Sequence, residues 1–413
     1  MALDLSFIRS QFPAFRDPDL KGWAFFENAG GSYPCQQVVD RLHHFYTHHK
    51  VQPYYPYPAS IKAGEQMDEA YASMASYLGA DPLEIHFGPS TTQNAYVLSH
   101  ALRSMWNEGD EIIVSCQDHE ANAGAWRRLE ATGIKIVEWH VDKQTGVLPI
   151  EDLSKLFSKR TRMVAFPHCS NVIGHVNPVG KIASLAHYHD ALCVVDGVGW
   201  APHEIPDFKS LGADIYLFSS YKTFGPHLGV MYVRHELNLQ MANQSHFFKD
   251  GSPRHRLTPA GPDHAQVAAA AGMAHYWDAV YEHHRDTAKP GQAEANQKRE
   301  LLNDLFRGHE MELLAPLLEF LGSRKDLRII GPSSLENRAP IVSFLPLKKD
   351  LKTVYDGLTK NQIMAGYGHF YAVRPLIDMD IPRDPGVIRL SFVHYTSPAE
   401  IQQLIAGLES ALG

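Results

Sequence analysis

The sequence predicts an α/β protein in which a mostly parallel β-sheet is covered by helices and is followed by a small C-terminal α+β unit. Three observations carry this expectation. From about residue 84 to 234, short runs that are apolar on both faces alternate regularly with helical stretches. Beyond about residue 290, strands and helices mix in a shorter and less regular order. The 413 residues suffice for one large unit and a smaller companion. We place the large unit at 26–290 and build the small one from 1–25 and 291–413.

The elements follow in order. "EIHFGP" precedes a helix from Thr91 to about Asn107, and "DEIIVS" precedes one beginning near Ala121. Next come "IKIVEWHV", a helix near 151–157, "RMVAFPH", a helix over about 180–189, "ALCVVD", "DIYLFSS" and "VMYV". After "LTPAGPDH", the run "AQVAAAAGMAHYWDAVYEHH" reads as a long helix punctuated by "KPGQ" at 289–292. A second long helix over roughly 293–321 leads into "DLRIIG", "APIVSFLPL", a helix near 350–360, "VIRLSFVHY" and a closing helix from Pro398.

Composition narrows the function. Acidic and basic residues are interspersed at a net charge of −8, so no basic stripe offers a surface for nucleic acid. The N-terminal "MALDLSFIRSQFPAF" has no basic segment leading an apolar core, and no run approaches the ~20 apolar residues of a membrane span. A cytoplasmic protein with no membrane partner is expected. Cys35, Cys116, Cys169 and Cys193 are widely spaced without a C-x-x-C pair, and three lie in or beside apolar runs as small buried hydrophobes. His44 and His48 share a helical face at metal-ligand spacing, but no acidic residue between them completes a motif, so no metal is expected.

In sheets of this kind ligands sit beyond the carboxyl ends of the strands, and the residues found there differ in chemistry. Ser90, Thr91 and Thr92 open a helix with hydroxyls and free N–H groups, an anion site that plain N-capping also explains. His119 follows the next strand, where an imidazole can stack on a flat ring, although a polar loop histidine is the commoner case. Asn171 offers a neutral donor, Asp196 ends a buried strand, and Lys222 stands in "SSYKTFGPHLG". "DGVGWAP" and "GHVNPVGKI" fail as dinucleotide and P-loop motifs, with Pro202 and Ile182 at positions that must be glycine and a hydroxyl residue. Hydroxyl-rich helix start, stackable histidine, aspartate and lysine together describe a site for pyridoxal 5′-phosphate. The lysine would hold the aldehyde as a Schiff base and the aspartate would keep the pyridine nitrogen protonated.

With these residues in place, the chain resembles the class V aminotransferases, the fold-type I pyridoxal-phosphate branch that includes cysteine desulfurases, selenocysteine lyases and isopenicillin N epimerase. The resemblance runs from "FFENAGGSYP" to "VIRLSFVHYTSPAEIQQL" and is most specific in "SNVIGHVNPV", "VVDGVG" and "SSYKTFGPHLGVMYVR". It implies Lys222 as the Schiff-base lysine, Asp196 as the pyridinium partner, His119 as the stacking residue and Asn171 as a contact to the phenolic oxygen. Ser219 and Tyr221 stand where a serine and a histidine help hold the phosphate, joined by Thr91 or Thr92. Arg389 would bind the substrate α-carboxylate, with His369 and Tyr371 beside it.

The departures matter as well. Where desulfurases carry a catalytic cysteine in a stretch like G-H-H-C-A, this chain has "GHFYA" at 368–372, with Tyr371, or Phe370 in a shifted alignment, in its place. No cysteine follows Cys193, so no persulfide can form on that loop. Gly199 replaces a cofactor-contacting glutamine and Tyr221 replaces the histidine. Pro262 stands where a partner-chain threonine would reach the phosphate of a homodimer. The expected activity is that of an aminotransferase on a small amino acid. A C–S or C–Se β-lyase, an epimerase and a non-catalytic pyridoxal-phosphate-binding protein are the alternatives.

Overall fold

The computed structural model describes residues 2–285 and 293–413. The expected boundary at 290 and the "KPGQ" punctuation lie outside the described residues. The seven strands of the main sheet are β1 (Ile85–Gly88), β2 (Glu111–Ser115), β3 (Lys135–Trp139), β4 (Thr161–Pro167), β5 (Leu192–Asp196), β6 (Ile215–Ser219) and β7 (Gly229–Val233). Their order across the sheet is β1-β7-β6-β5-β4-β2-β3, and β7 alone runs against the others. The sheet is therefore mostly parallel, and β1, β6 and β7 are buried along their whole length.

Period-two alternation explains why such strands read as continuous apolar runs. Ile113, Val164, Phe166, Val195 and Phe218 face one core with Met67 and Ala70 of helix α1 (Pro58–Leu78). Ile112, Val114, Ala165, Val194 and Leu217 face the other, against Leu98 and Leu102 of α2 (Thr91–Arg103) and Trp126 of α3 (Glu120–Arg127). Each fully buried side chain of this size contributes ~1.5–3 kcal/mol of transfer free energy. α1 starts on Pro58 and stops at Gly79, whose φ of 66° supplies the left-handed cap. The α2 helix ends at Arg103, short of the expected Asn107, because the chain turns there and the Met105 N–H returns to the Leu102 carbonyl.

The alanine-rich α4 (His264–His284) begins on Asp263, whose carboxylate accepts the Gln266 N–H at 3.2 Å. α5 (Ala295–Ser323) then leads into a four-stranded antiparallel sheet of β8 (Leu327–Ile330), β9 (Ile341–Pro346), β10 (Gly366–Gly368) and β11 (Val387–Ser391), ordered β10-β11-β9-β8. A separate core under this sheet joins Val342, Phe344, Leu390 and Leu404 to Ala24 and Phe26 from the start of the chain. Ile8 and Phe12 instead join the large core.

Candidate active site

The carboxyl ends of β1, β2, β4, β5 and β6 converge on one cavity, lined by Ser90, Thr91, Thr92, His119, Asn171, Asp196, Ser219, Tyr221 and Lys222 among others. Parallel strands bring this about, since every strand that points the same way delivers its following loop to the same edge. A second, more open cavity adjoins it and shares Thr92, His119, Asn171, Tyr221 and Lys222, adding Glu27, Phe370, Tyr371 and Arg389. Of the side chains expected to hold the cofactor or the substrate within one chain, His369 alone lines neither cavity; its ring accepts the Tyr371 N–H at 3.1 Å.

One end of the first cavity is the N-terminus of α2. Ser90 caps the helix through the Gln93 N–H at 3.1 Å, and Thr91 Oγ1 lies 2.7 Å from Ser219 Oγ, tying the helix start to the end of β6. Gly229 lets β7 pass beneath: a Cβ there would come within 2.5 Å of the Thr91 nitrogen. The result is a hydroxyl-lined, N–H-rich cup suited to a phosphate. Tyr221 borders it, stacked on His227 with centroids 4.6 Å apart and ring planes 9° from parallel.

Asp196 is buried at the end of β5, where Oδ1 accepts the Val198 N–H at 2.9 Å. Burial pushes its carboxyl up to about 6, against the pull of the Val198 N–H and the Lys222 charge. Lys222 sits in the turn Ser220–Lys222 after β6 and makes no side-chain hydrogen bond or ion pair among the described residues. Desolvation lowers its ammonium to about 8; Arg389 adds to this, while Asp196 and Glu27 oppose it. His119 caps α3 by accepting the Ala121 N–H at 3.0 Å, and burial followed by the Lys222 and Arg389 charges pushes its imidazole down to about 3. His119 is therefore a neutral ring on the cavity wall.

Asn171 donates from Nδ2 to the Phe370 carbonyl at 3.0 Å, while its buried Oδ1 finds no partner among the described residues. Arg389 donates to Glu27 at 2.6 Å and to the Asn171 carbonyl at 3.1 Å, with its guanidinium 3.8 Å from the Phe370 ring centroid. Phe370 and Tyr371 both adopt positive φ, 48° and 57°, a costly conformation for bulky residues that fixes the 368–372 loop over the second cavity. Gly199 packs so close to the Cys169 carbonyl that a Cβ would lie 2.4 Å from its oxygen. A glutamine cannot stand there without moving the backbone.

Sequence reasoning passed over two residues. Glu27 lies in "FFENAGG" but was not singled out, and Asp118 is the immediate neighbour of His119. Asp118 is buried with only Asn122 Nδ2 on Oδ1, at 3.1 Å, and burial followed by the Asp196 charge holds its carboxyl well above the usual range. The only sequence signal for either was adjacency to a recognised motif. His44 and His48, with ring centroids 4.8 Å apart, lie on the exposed surface.

Comparison with known proteins bears on the family and the fold. The family model for "Aminotransferase class-V" matches residues 24–255. The aminotransferase-like protein FGM3 of Gibberella zeae is 32% identical over 98% of both chains. The nonribosomal peptide synthetase-like enzyme fsqF of Aspergillus fumigatus is 32% identical over 98% of this chain, which spans 26% of that protein. The apo structure of a cysteine desulfurase from Thermococcus onnurineus superposes with a TM-score of 0.84, at 23% identity and over 99% of this chain and 98% of that one.

Proposed function

Because the chain belongs to the class-V aminotransferase family of pyridoxal-phosphate-dependent enzymes, we propose that it acts at Cα of a small amino acid as an aminotransferase. The observation that carries this is the convergence of Lys222, Asp196, His119 and the Thr91–Ser219 cup on one cavity. The residues fit the cofactor: among the described residues, an amine without an ionic partner, a buried carboxylate, a neutral imidazole, an Asn171 Oδ1 lacking a donor and a hydroxyl-lined helix start surround one cavity. Ser90, Thr91, Thr92, Ser219 and Tyr221 would hold the phosphate, Asp196 the ring nitrogen, Asn171 the phenolic oxygen and His119 the ring face.

When bound, pyridoxal phosphate supplies an electron sink for charge developing at Cα. The chain's residues do the rest. With its ammonium lowered to about 8, Lys222 has an appreciable neutral fraction at pH 7–8 and can take the Cα proton. Asp196, titrating at about 6, carries its negative charge in that range. His119 stays neutral and adds no competing cation. Arg389 would orient the substrate carboxylate, and the Phe370–Tyr371 loop would shield the reacting carbon from water. Lys222 Nζ would then hold the abstracted proton, and its delivery away from Cα rather than back to it is what transamination requires.

A β-lyase exit is the second reading, favoured by the structural likeness to desulfurases; without a cysteine beyond Cys193 it would release sulfide without a persulfide on the 368–372 loop. A homodimer, a cytoplasmic location and division into 26–290 against 1–25 with 291–413 belong to the same proposal. For the division, a second core underlies the C-terminal sheet and takes in Ala24, whereas Ile8 and Phe12 pack into the large core; no described helix is long and apolar enough to cross a membrane. The purified protein should be yellow, and borohydride should fix the cofactor to Lys222. Incubation with an amino-acid panel should then yield keto acid; exchange of α-deuterium alone would indicate epimerisation, and sulfide from cysteine a lyase. Colourless protein that takes up no added cofactor would end the proposal.

A further inference from the structure

We propose that Cys116, Glu138 and His140 form a site for a divalent transition metal of the zinc class, at the edge of the main sheet and outside the cofactor cavity. The strands bring these residues together. Val114 of β2 and Glu138 of the edge strand β3 are register partners in a parallel pair, so their side chains leave the same face of the sheet. Two residues further along each chain stand Cys116 and His140, on that same face, and the Cys116 N–H continues the ladder by donating to the Trp139 carbonyl at 2.8 Å. A sulfur, a carboxylate oxygen and a ring nitrogen, one from each residue, lie within 4.8 Å of one another.

The hydrogen bonding of His140 leaves a place for a cation. Its Nδ1 is 3.0 Å from Asp378 Oδ2, and because a carboxylate only accepts, Nδ1 carries the ring proton. In the neutral ring, Nε2 then turns its lone pair toward Glu138 Oε2, 3.4 Å away. Two electron-rich atoms face each other, and a metal ion between them turns the repulsion into two bonds. A ligating histidine whose other nitrogen is held by a carboxylate is the usual arrangement around zinc. Arg127, which ends α3, donates to the other oxygen, Glu138 Oε1, and lies 3.9 Å from Cys116 Sγ. It thereby leaves Oε2 to the metal and favours the thiolate.

Charge and ligand type name the ion. Burial, then the Glu138 and Asp378 charges, pushes the Cys116 thiol up to about 12, against the pull of Arg127. Binding therefore breaks the S–H bond, forms a metal–sulfur bond and releases one proton to solvent past the exposed Glu138 and His140. With Cys116, Glu138 and Asp378 negative and Arg127 positive, a divalent ion brings the cluster to neutrality. Thiolate and imidazole select zinc or cobalt over magnesium and calcium, which take oxygen ligands. Ligand atoms of a tetrahedral zinc site sit roughly 3.3–3.7 Å apart, so the exposed side chains need close by only about 1 Å. Asp378 ends the helix Val373–Asp378, which follows the 368–372 loop. A metal held by His140 would pin that helix to the sheet edge.

The test is titration of the pyridoxal-phosphate-loaded protein with cobalt(II), read by the d–d absorption of tetrahedral cobalt, at longer wavelength than the cofactor, and by proton release in weak buffer. Wild type should saturate at one cobalt per chain with release of one proton, and zinc should abolish the signal. Cys116→Ser and His140→Ala should each weaken binding at least ~10-fold. His44→Ala, in the exposed histidine group elsewhere on the surface, should leave it unchanged. His140 is exposed, so its replacement empties no core, and circular dichroism checks the fold of both variants. A wild type that binds no cobalt, or unchanged affinity in either ligand variant, overturns the site. Loss on His44→Ala overturns it as well, by putting the metal on the surface histidines.

Discussion

Lys222 and Asp196 carry opposite charges in a site that desolvates both, and their environment makes each a weaker ion than usual. Replacing Lys222 with alanine should reduce turnover by at least ~10³-fold and abolish borohydride labelling, because no other described amine lines the cavity. Asp196→Asn should lose activity yet stabilise the cofactor-free chain. The folded carboxyl titrates at about 6 against 3.8 unfolded, so burial contributes no penalty below about pH 4 and its full penalty above about pH 6. The gain on substitution should therefore grow from pH 4 to 6 and reach on the order of 1–3 kcal/mol at pH 7. Urea denaturation across that range checks it; a constant difference would show that burial of the charge is not the cause.

Elements position these groups by close backbone approach. The start of α2 is held against β6 and β7 through the Thr91–Ser219 contact and the bare face of Gly229. Gly229→Ala should push the helix start away from β7 and weaken cofactor binding at least ~10-fold, with the fold retained, as the loss of phosphate donors predicts. Fluorescence titration with pyridoxal phosphate measures this, and unchanged affinity would separate the cup from phosphate binding. Most of these elements were legible in the sequence. The strands of the main sheet announce themselves as apolar runs, α2 by its capping Ser90 and α4 by its long alanine-rich run. By contrast α1 was not read, although Pro58 and Gly79 mark its ends, because its small residues blur the helical period.

Taken whole, the molecule joins its C-terminal region to the cofactor turn through one buried cluster. Glu310 of α5 is fully buried, lies 3.1 Å from His203 Nδ1 and accepts from Arg307 at 3.4 Å. Arg307 in turn lies over Trp200, four residues beyond Asp196. Glu310→Ala should leave Arg307 and His203 without their shared hydrogen-bond acceptor and destabilise the chain by about 1–3 kcal/mol in guanidinium denaturation. A loss under 1 kcal/mol would remove the cluster from the stability of the molecule. The sequence alone gave notice of the parallel sheet, the cofactor class and most residues lining the cavity, because apolar runs and strand-end motifs are local patterns. Lys222 in "SSYKTFGPHLG" and Asp196 in "VVDGVG" could be found without coordinates. Glu27 could not, since its importance comes from Arg389, 362 residues away in the chain. Nor could the pressure of Cys169 on Gly199. Such pairings depend on which chain segments the closed cores force together, and that distance information is absent from any single stretch of residues.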